Sequence, residues 1–411
     1  MKYVRTHETR DKFLADKDST SRGFRLAPTL YKYSDESEDE DNRDHIYLEL
    51  DDPRKHEGST YMEIALNSDV EFSFYIGNKS GDTQTTMVCT IDWGDDTIET
   101  MTITKDTYGF KLAHNYVAGS YKIELYDVER DYSVVGDGAN TKSLISPKES
   151  VKRVVLGEGV VDIGVGAFGY CSSLTSIFIP EGVTYIGSRT FYGCSSLTSI
   201  YIPESVTSIR NYTFTFCNSL TSIHIPESVT VIEGGAFEGC NSLTSIYIPE
   251  GVTIMSGFMF SRCSSLTSVY IPESVTYIEG YTFQSCYSLK SINIPEGVTS
   301  IGKYAFNQCT SLKSIYLPEG VTTINQYTFY RCTSLKSIDI PEKVTSIGGG
   351  AFYGCSSLTS ISSFNHTTPT LGGNIFINLP TNGTLHIKPG ATGYDAWLSK
   401  LPEGWRIVED L

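Results

Sequence analysis

From Val151 to Ser357 the apolar positions recur every 23 residues, nine times without a slip. Leucine recurs from Leu174 to Leu358, phenylalanine from Phe168 to Phe352 and cysteine from Cys171 to Cys355, while proline marks eight turns from Pro180 to Pro341. A fixed period of this length signals stacked coils, because one unit cannot bury its own apolar face. One unit reads L-T-S-I-x-I-P-E-x-V-T-x-I-x-x-x-x-F-x-x-C-x-S. The alternating isoleucines predict a short strand with one buried side. Proline ends it, since it lacks the ladder donor. Val-x-x-Ile forms a second short apolar run, and F-x-x-C predicts a 3-10 or irregular turn. At a strand spacing of ~4.8 Å, nine such coils make a rod of roughly 40 Å. Val151, Val154 and Leu156 take the places of Leu174, Ile177 and Ile179, so the first coil opens at 151.

Upstream the pattern changes to short β-type runs: VEFSFYI (70–76), MVCTIDW (87–93), ETMTI (99–103) and SYKIELYDV (120–128), broken by turn clusters. Such a series predicts an all-β sandwich. Downstream, residues 362–384 break the period and read as an insertion before Leu385-His386-Ile387-Lys388-Pro389 restates the strand. Tyr394, Trp397 and Trp405 then supply a cap over the open strand edge. The expected organisation is an arm and acidic linker (1–58), a sandwich (59–134), a linker (135–150), the solenoid (151–361) and an insertion with cap (362–411).

Two of these parts resemble known families. Ile91-Asp92-Trp93-Gly94-Asp95-Asp96-Thr97, with His114-Asn115-Tyr116 and Gly119-Ser120-Tyr121 following, resembles a PKD-like domain, with Asp96 where that family's turn has its second glycine. The resemblance implies an immunoglobulin-like sandwich. The nine copies resemble the BspA-like, or Treponema-type, leucine-rich repeat, which implies a curved solenoid of the kind used in surface binding proteins of bacteria and their viruses. The opening MKYVRTHETRDKF resembles, over a short stretch, structural and adhesin-like proteins of crAss-like phages of gut Bacteroidetes. The fold class expected is therefore mainly β, a PKD-like sandwich followed by a leucine-rich-repeat solenoid of nine coils and a cap.

Charge and chemistry narrow the function. The chain of 411 residues carries a formal net charge of −16, which argues against nucleic acid and against charge-driven binding to anionic lipid. No run of 18 apolar residues exists, so no membrane insertion is expected. The first residues lack the apolar core of a secretory signal, and the last lack an anchor tail. Nine of the ten cysteines belong to the repeat, an odd ladder that cannot pair among itself, and they read as reduced and buried. No histidines or cysteines stand at metal-ligand spacing, and GVTSIGKY (297–304) fails as a phosphate loop because Tyr304 replaces the Ser/Thr. Neither a cofactor nor an enzyme activity is expected. Asp92, Asp95 and Asp96 either cap a hairpin turn or hold calcium.

A residue that repeats in every coil packs; one that varies is free to recognise. The residue between the strand isoleucines varies: Phe178, Tyr201, His224, Tyr247, Tyr270, Asn293, Tyr316 and Asp339. This column is the candidate ligand-binding surface, with cross-strand aromatic pairing as the alternative. A second variable column precedes the turn: Arg189, Tyr212, Gly235, Phe258, Tyr281, Tyr304 and Tyr327. Lys290, Lys313 and Lys336 replace threonine in the last coils, either as a solvated edge or as an attraction for an anionic partner. The function expected is non-enzymatic adhesion to a host surface protein or glycan. Two settings fit: a phage virion assembled in the host cytoplasm, its N-terminal arm docked on other virion proteins, or a secreted bacterial surface adhesin.

Overall fold

The computed structural model of the chain describes residues 60–78, 85–104, 110–126, 132–134 and 145–411. The expected arm and acidic linker therefore lie outside the described residues. Among the described residues seven strands precede the repeats: β1 (Thr60–Leu66), β2 (Val70–Asn78), β3 (Thr86–Asp92), β4 (Ile98–Thr104), β5 (Phe110–Tyr116), β6 (Gly119–Tyr126) and β7 (Tyr132–Val134). Alternation sets their buried sides: Phe72, Phe74 and Ile76 on β2, and Met87, Cys89 and Ile91 on β3, all point inward.

These strands form two sheets that run straight into the solenoid. One has the order β10-β8-β1-β6-β3-β4 and the other β11-β9-β7-β2-β5, where β8 (Val151–Val155), β9 (Val160–Ile163), β10 (Ser176–Phe178) and β11 (Tyr185–Ile186) belong to the first two coils. β1 pairs antiparallel with β8, and β7 pairs parallel with β9. Gly157 N–H donates to Thr60 Oγ1 at 2.9 Å, and Ser73 and Ser146 exchange two 2.9 Å backbone bonds. Phe72, Ile91, Trp93, Val151, Val160 and Phe168 share one buried cluster. The N-terminal strands thus act as a closure, because they satisfy the open edge of both ladders. The described part of the 135–150 linker, from Ile145, is likewise packed: Ile145 and Ser150 are buried.

Successive coils stack in parallel register, with a short second strand in every coil, whereas the outer segment is a regular strand at Phe178, Tyr247, Tyr270 and Asp339 but not at Tyr201, His224, Asn293 or Tyr316. Ser245, Ile246 and Tyr247 pair with Ser268, Val269 and Tyr270, and Ile254 and Met255 pair with Tyr277 and Ile278. Leu174, Ile177, Ile179, Val183, Ile186, Phe191 and Cys194 show the coil's interior, all buried. From Phe168 to Phe352 the rings stack in one column, with centroids 5.4–5.7 Å apart and planes within 16°. Each cysteine thiol from Cys194 to Cys355 donates to a phenylalanine carbonyl of the preceding coil at 3.1–3.2 Å.

The repeat does not stop at nine. Thr384–Ile387 pairs parallel with Ser360–Ser363, and Arg406–Glu409 pairs parallel with Thr384–Ile387. Thr370–Leu371 extends the second ladder from Ser346–Ile347. The segment 362–384, expected as an insertion, is a divergent coil, and the solenoid has about eleven turns. Phe376 continues the ring column, 6.4 Å from Phe352, and Trp397 meets Phe376 at 5.9 Å to close it. Helix α1 (Asp395–Leu398) carries Trp397, whose indole N–H donates to the Pro369 carbonyl at 3.3 Å.

All ten cysteines are free and buried. Burial pushes the Cys89 thiol up to about 11 and the Cys263 and Cys355 thiols up to about 12, from an ordinary 9.0. Folded thiols therefore keep protons that unfolded ones lose above pH 9.0. This contribution to stability is complete below pH 9.0 and is lost as pH rises toward about 12. Thiol-reactive reagents should label none of the ten in the native protein at pH 8 and all ten in denaturant; native labelling of even one ladder cysteine would contradict the packing. Truncating Phe260 to Ala should cost about 3–5 kcal/mol in chemical denaturation, as for a buried aromatic. Its coil-mate Phe258, 38% exposed, should cost about 1 kcal/mol or less on truncation.

Candidate functional site

The outward face of the first ladder divides into two halves. Phe178, Tyr201, His224, Tyr247 and Tyr270 are half-buried, while Asn293, Tyr316 and Asp339 are exposed. In the first half the side chains hold one another. Tyr247 and Tyr270 stack at 4.8 Å and 11°. The Tyr201 and Tyr270 hydroxyls donate to Glu181 at 2.8 Å and Glu250 at 2.7 Å. Burial lowers the His224 pKa, which Glu227 opposes, and burial together with Glu181 and Glu227 raises that of Glu204. Cross-strand pairing thus operates at Tyr247 and Tyr270, alongside partial exposure.

The second half is open and polar. Ser291, Ser314 and Ser337 are exposed there, as are Lys290, Lys313 and Lys336. Tyr316 is 41% exposed, and among the described residues no ring stacks on it.

The second variable column lies at a turn where the backbone is left-handed in every coil. Arg189, Tyr212, Phe258, Tyr281, Tyr304 and Tyr327 have φ of 56–64°, and Gly235 and Gly350 occupy the same place. Four residues on, Tyr170, Phe216, Arg262, Ser285, Gln308 and Arg331 repeat this at 55–64°, with Gly193, Gly239 and Gly354 among them. A left-handed residue with a Cβ costs about 1–2 kcal/mol. Stacking offsets part of that cost: Phe258, Tyr281, Tyr304 and Tyr327 form one continuous pile at 4.5–4.8 Å. Arg189 covers the Tyr212 ring at 5.0 Å. A Cβ on Gly235 or Gly350 would lie 2.5 Å from the ring of Tyr212 or Tyr327, so glycine ends each pile.

A third column escaped the sequence reading. On the second ladder Val231, Ile254 and Tyr277 point outward, 48%, 42% and 37% exposed. The signal was there, since each precedes a buried apolar residue (Ile232, Met255, Ile278) and must face away from it.

At the β3–β4 turn Asp92 accepts from Gly94 N–H at 2.8 Å, and Asp95 accepts from Thr97 N–H at 3.2 Å and pairs with His114 at 2.8 Å. Asp96 takes φ 69°. Both carboxylates thus brace the hairpin. His114 stacks on Trp93 at 4.9 Å, and the Tyr116 hydroxyl donates to the Trp93 carbonyl at 2.8 Å. Among the described residues no helix is long and apolar enough to cross a membrane.

Parallel ladders one coil apart, a stacked interior and variable outward columns define a leucine-rich-repeat solenoid. The chain belongs to the BspA type leucine rich repeat family, whose model matches residues 146–267 and 253–382. It is similar to a leucine rich cell surface protein of Faecalibacterium prausnitzii, at 29% identity over 61% of this chain and 82% of that one, with a TM-score of 0.39. A leucine rich repeat protein of T. pallidum is 28% identical over 50% of this chain and 83% of that one, with a TM-score of 0.35. One from Bacteroides ovatus is 24% identical over 63% and 95%, with a TM-score of 0.34. No curated protein matches the chain.

The strained column generates a direct test. Gln308→Gly should stabilise the protein by about 0.5–1 kcal/mol, because relief of left-handed strain exceeds glycine's larger unfolded-state entropy. Gly239→Ala, whose Cβ would collide with the Phe216 ring, should destabilise it. Denaturation midpoints moving the other way would remove the strain argument.

Proposed function

We propose that the chain is a non-enzymatic adhesin of a bacterial surface, whose strand face binds a protein or glycan of another cell. One observation carries this reading. The coil repeats its interior with few and mostly apolar exchanges (Val269, Leu317, Met255), yet the outward residue of the first ladder changes in chemistry from coil to coil, and five of its eight members are aromatic. Aromatic side chains give large contact area at low entropic cost, which suits recognition. Family membership agrees, since a leucine-rich solenoid is a scaffold whose function lies in its exposed columns. Ten free cysteines are compatible with an oxidising exterior, because burial denies them the thiolate form on which oxidation depends.

The PKD-like stretch acts, in this reading, as the N-terminal closure of the solenoid and a base for whatever precedes it. The virion-associated alternative rests on the opening residues, which lie outside the described residues; the family match favours the surface adhesin.

Changing Tyr201, Tyr247 and Tyr270 together to Ala should weaken adhesion to target cells by at least about tenfold, since buried aromatic anchors dominate interfaces. Circular dichroism should show the fold retained. Undiminished adhesion with an intact fold would take the aromatic half out of the account.

A further inference from the structure

Resting on the reading of the strand face as the binding surface, we propose that its C-terminal half takes an acidic polysaccharide. The polymer's anionic groups would lie on the rail Lys290–Lys313–Lys336, with one sugar ring against Tyr316.

The rail is straight because the backbone is. Lys313 N–H donates to the Lys290 carbonyl at 3.1 Å, Lys336 N–H to the Lys313 carbonyl at 3.2 Å, and Thr359 N–H to the Lys336 carbonyl at 3.0 Å. The three cations thus sit one ladder rung, ~4.8 Å, apart. All three are exposed, and among the described residues none makes an ion pair. Five earlier coils place threonine here, from Thr175 to Thr267. Packing therefore does not require lysine, and stacking like charges on adjacent rungs is unfavourable without a counter-charge. A linear array of positive charge is matched by a linear partner carrying one negative charge per unit, rather than by a globular one.

The floor beside the rail suits a sugar. Ser291, Ser314 and Ser337 offer exposed hydroxyls for hydrogen bonds. Among the described residues no ring stacks on Tyr316, which is 41% exposed. Its neighbours along the column are the small Asn293 and Asp339, so its ring is available to the apolar face of a pyranose. At ~3.3 Å per residue of extended chain, Tyr316 lies at most roughly 10 Å from the Lys313 backbone, a gap that a chain of sugars and a long lysine side chain fill together.

Negative groups bound the other edge. Asp339 stands beside Tyr316, and Glu296, Glu319 and Glu342 follow the strand-ending prolines, with Glu342 paired to Lys388 at 3.1 Å. These carboxylates orient an acidic polysaccharide, whose charges can all face the lysine edge. They disfavour duplex nucleic acid, which carries a charge every ~1.7 Å and presents it on all sides.

The test uses the full chain on immobilised polygalacturonate, which has one carboxylate per sugar, with amylose as the neutral polymer and duplex DNA as the competing polyanion. The chain should be retained on polygalacturonate, weakly or not at all on the other two, and released by salt. Lys290→Thr/Lys313→Thr/Lys336→Thr installs the residue of the earlier coils and should fold normally; it should weaken retention by about tenfold or more. Tyr316→Asn, copying Asn293, should weaken it several-fold without changing the salt dependence. Undiminished retention of the triple variant, no retention of the native chain, or equally tight binding of DNA would each overturn the proposal. Its failure is separable from that of the adhesin reading: cell adhesion lost with Tyr201, Tyr247 and Tyr270 but indifferent to the lysines would sink this inference alone.

Discussion

The structure depends on one repeated contact, that of each coil with the phenylalanine turn of the coil before it. The Phe168 carbonyl accepts from its own turn, through Cys171 N–H at 3.0 Å, and from the next coil, through the Cys194 thiol at 3.1 Å. Both lone pairs of a buried carbonyl are used, which is what burial demands. The second donor must be small, because it lies beside the phenylalanine column, and it must carry a hydrogen. Cysteine meets both conditions where alanine would leave an acceptor half-satisfied. The ring stack then sets the phase of every later coil, and a one-residue slip anywhere would misplace ring, thiol and both ladders together. This is why the period holds over nine copies, and why the most regular residues have no freedom to recognise anything.

A stack of identical units solves its interior and leaves its two ends. At the N-terminal end β1 and β7 add a strand to each ladder, so the N-terminal strands share their core with the first coil. At the C-terminal end the polar rungs run out gradually through two divergent turns, and Trp397 covers the last ring. The ends differ in means: strands of two sheets extend both ladders at the first, while at the last the ladders end on Thr370–Leu371 and Arg406–Glu409 and an aromatic lid covers the ring column.

What could be read from the chain follows from what is local. The turn, the second short strand and the ring and thiol columns are all legible, because the same side chains repeat at the same offsets; the strand expected at the paired isoleucines is regular only in some coils, as at Phe178, Tyr247, Tyr270 and Asp339. The divergent coil over 362–384 was not legible, since it lacks the proline and leucine markers and is one residue longer, keeping only Phe376 and Leu371. Nor was the fusion of sandwich and solenoid, which rests on antiparallel pairing of β1 with β8, far apart in sequence. The left-handed columns left a trace that was legible after all. Glycine recurs at 166, 235 and 350 and at 193, 239 and 354, in columns where other coils carry tyrosine or arginine, as expected where the backbone favours glycine but does not require it. For the candidate site, the sequence singles out the first column as the variable one, but does not show which of its rings are already engaged.

That last distinction decides where recognition can sit. An aromatic ring has two faces, and a ring stacked on both sides by its neighbours keeps only its edge for a ligand. The pile from Phe258 to Tyr327 is aromatic throughout and offers few free faces, so it reads as a brace for a strained turn. Tyr247 and Tyr270 are stacked on each other. On Tyr316, between Asn293 and Asp339, no ring stacks among the described residues. In a solenoid the coil spacing of ~4.8 Å brings adjacent rings close to stacking distance, so runs of aromatic residues consume themselves. The binding potential of a repeat face is therefore carried by the places where the run is interrupted.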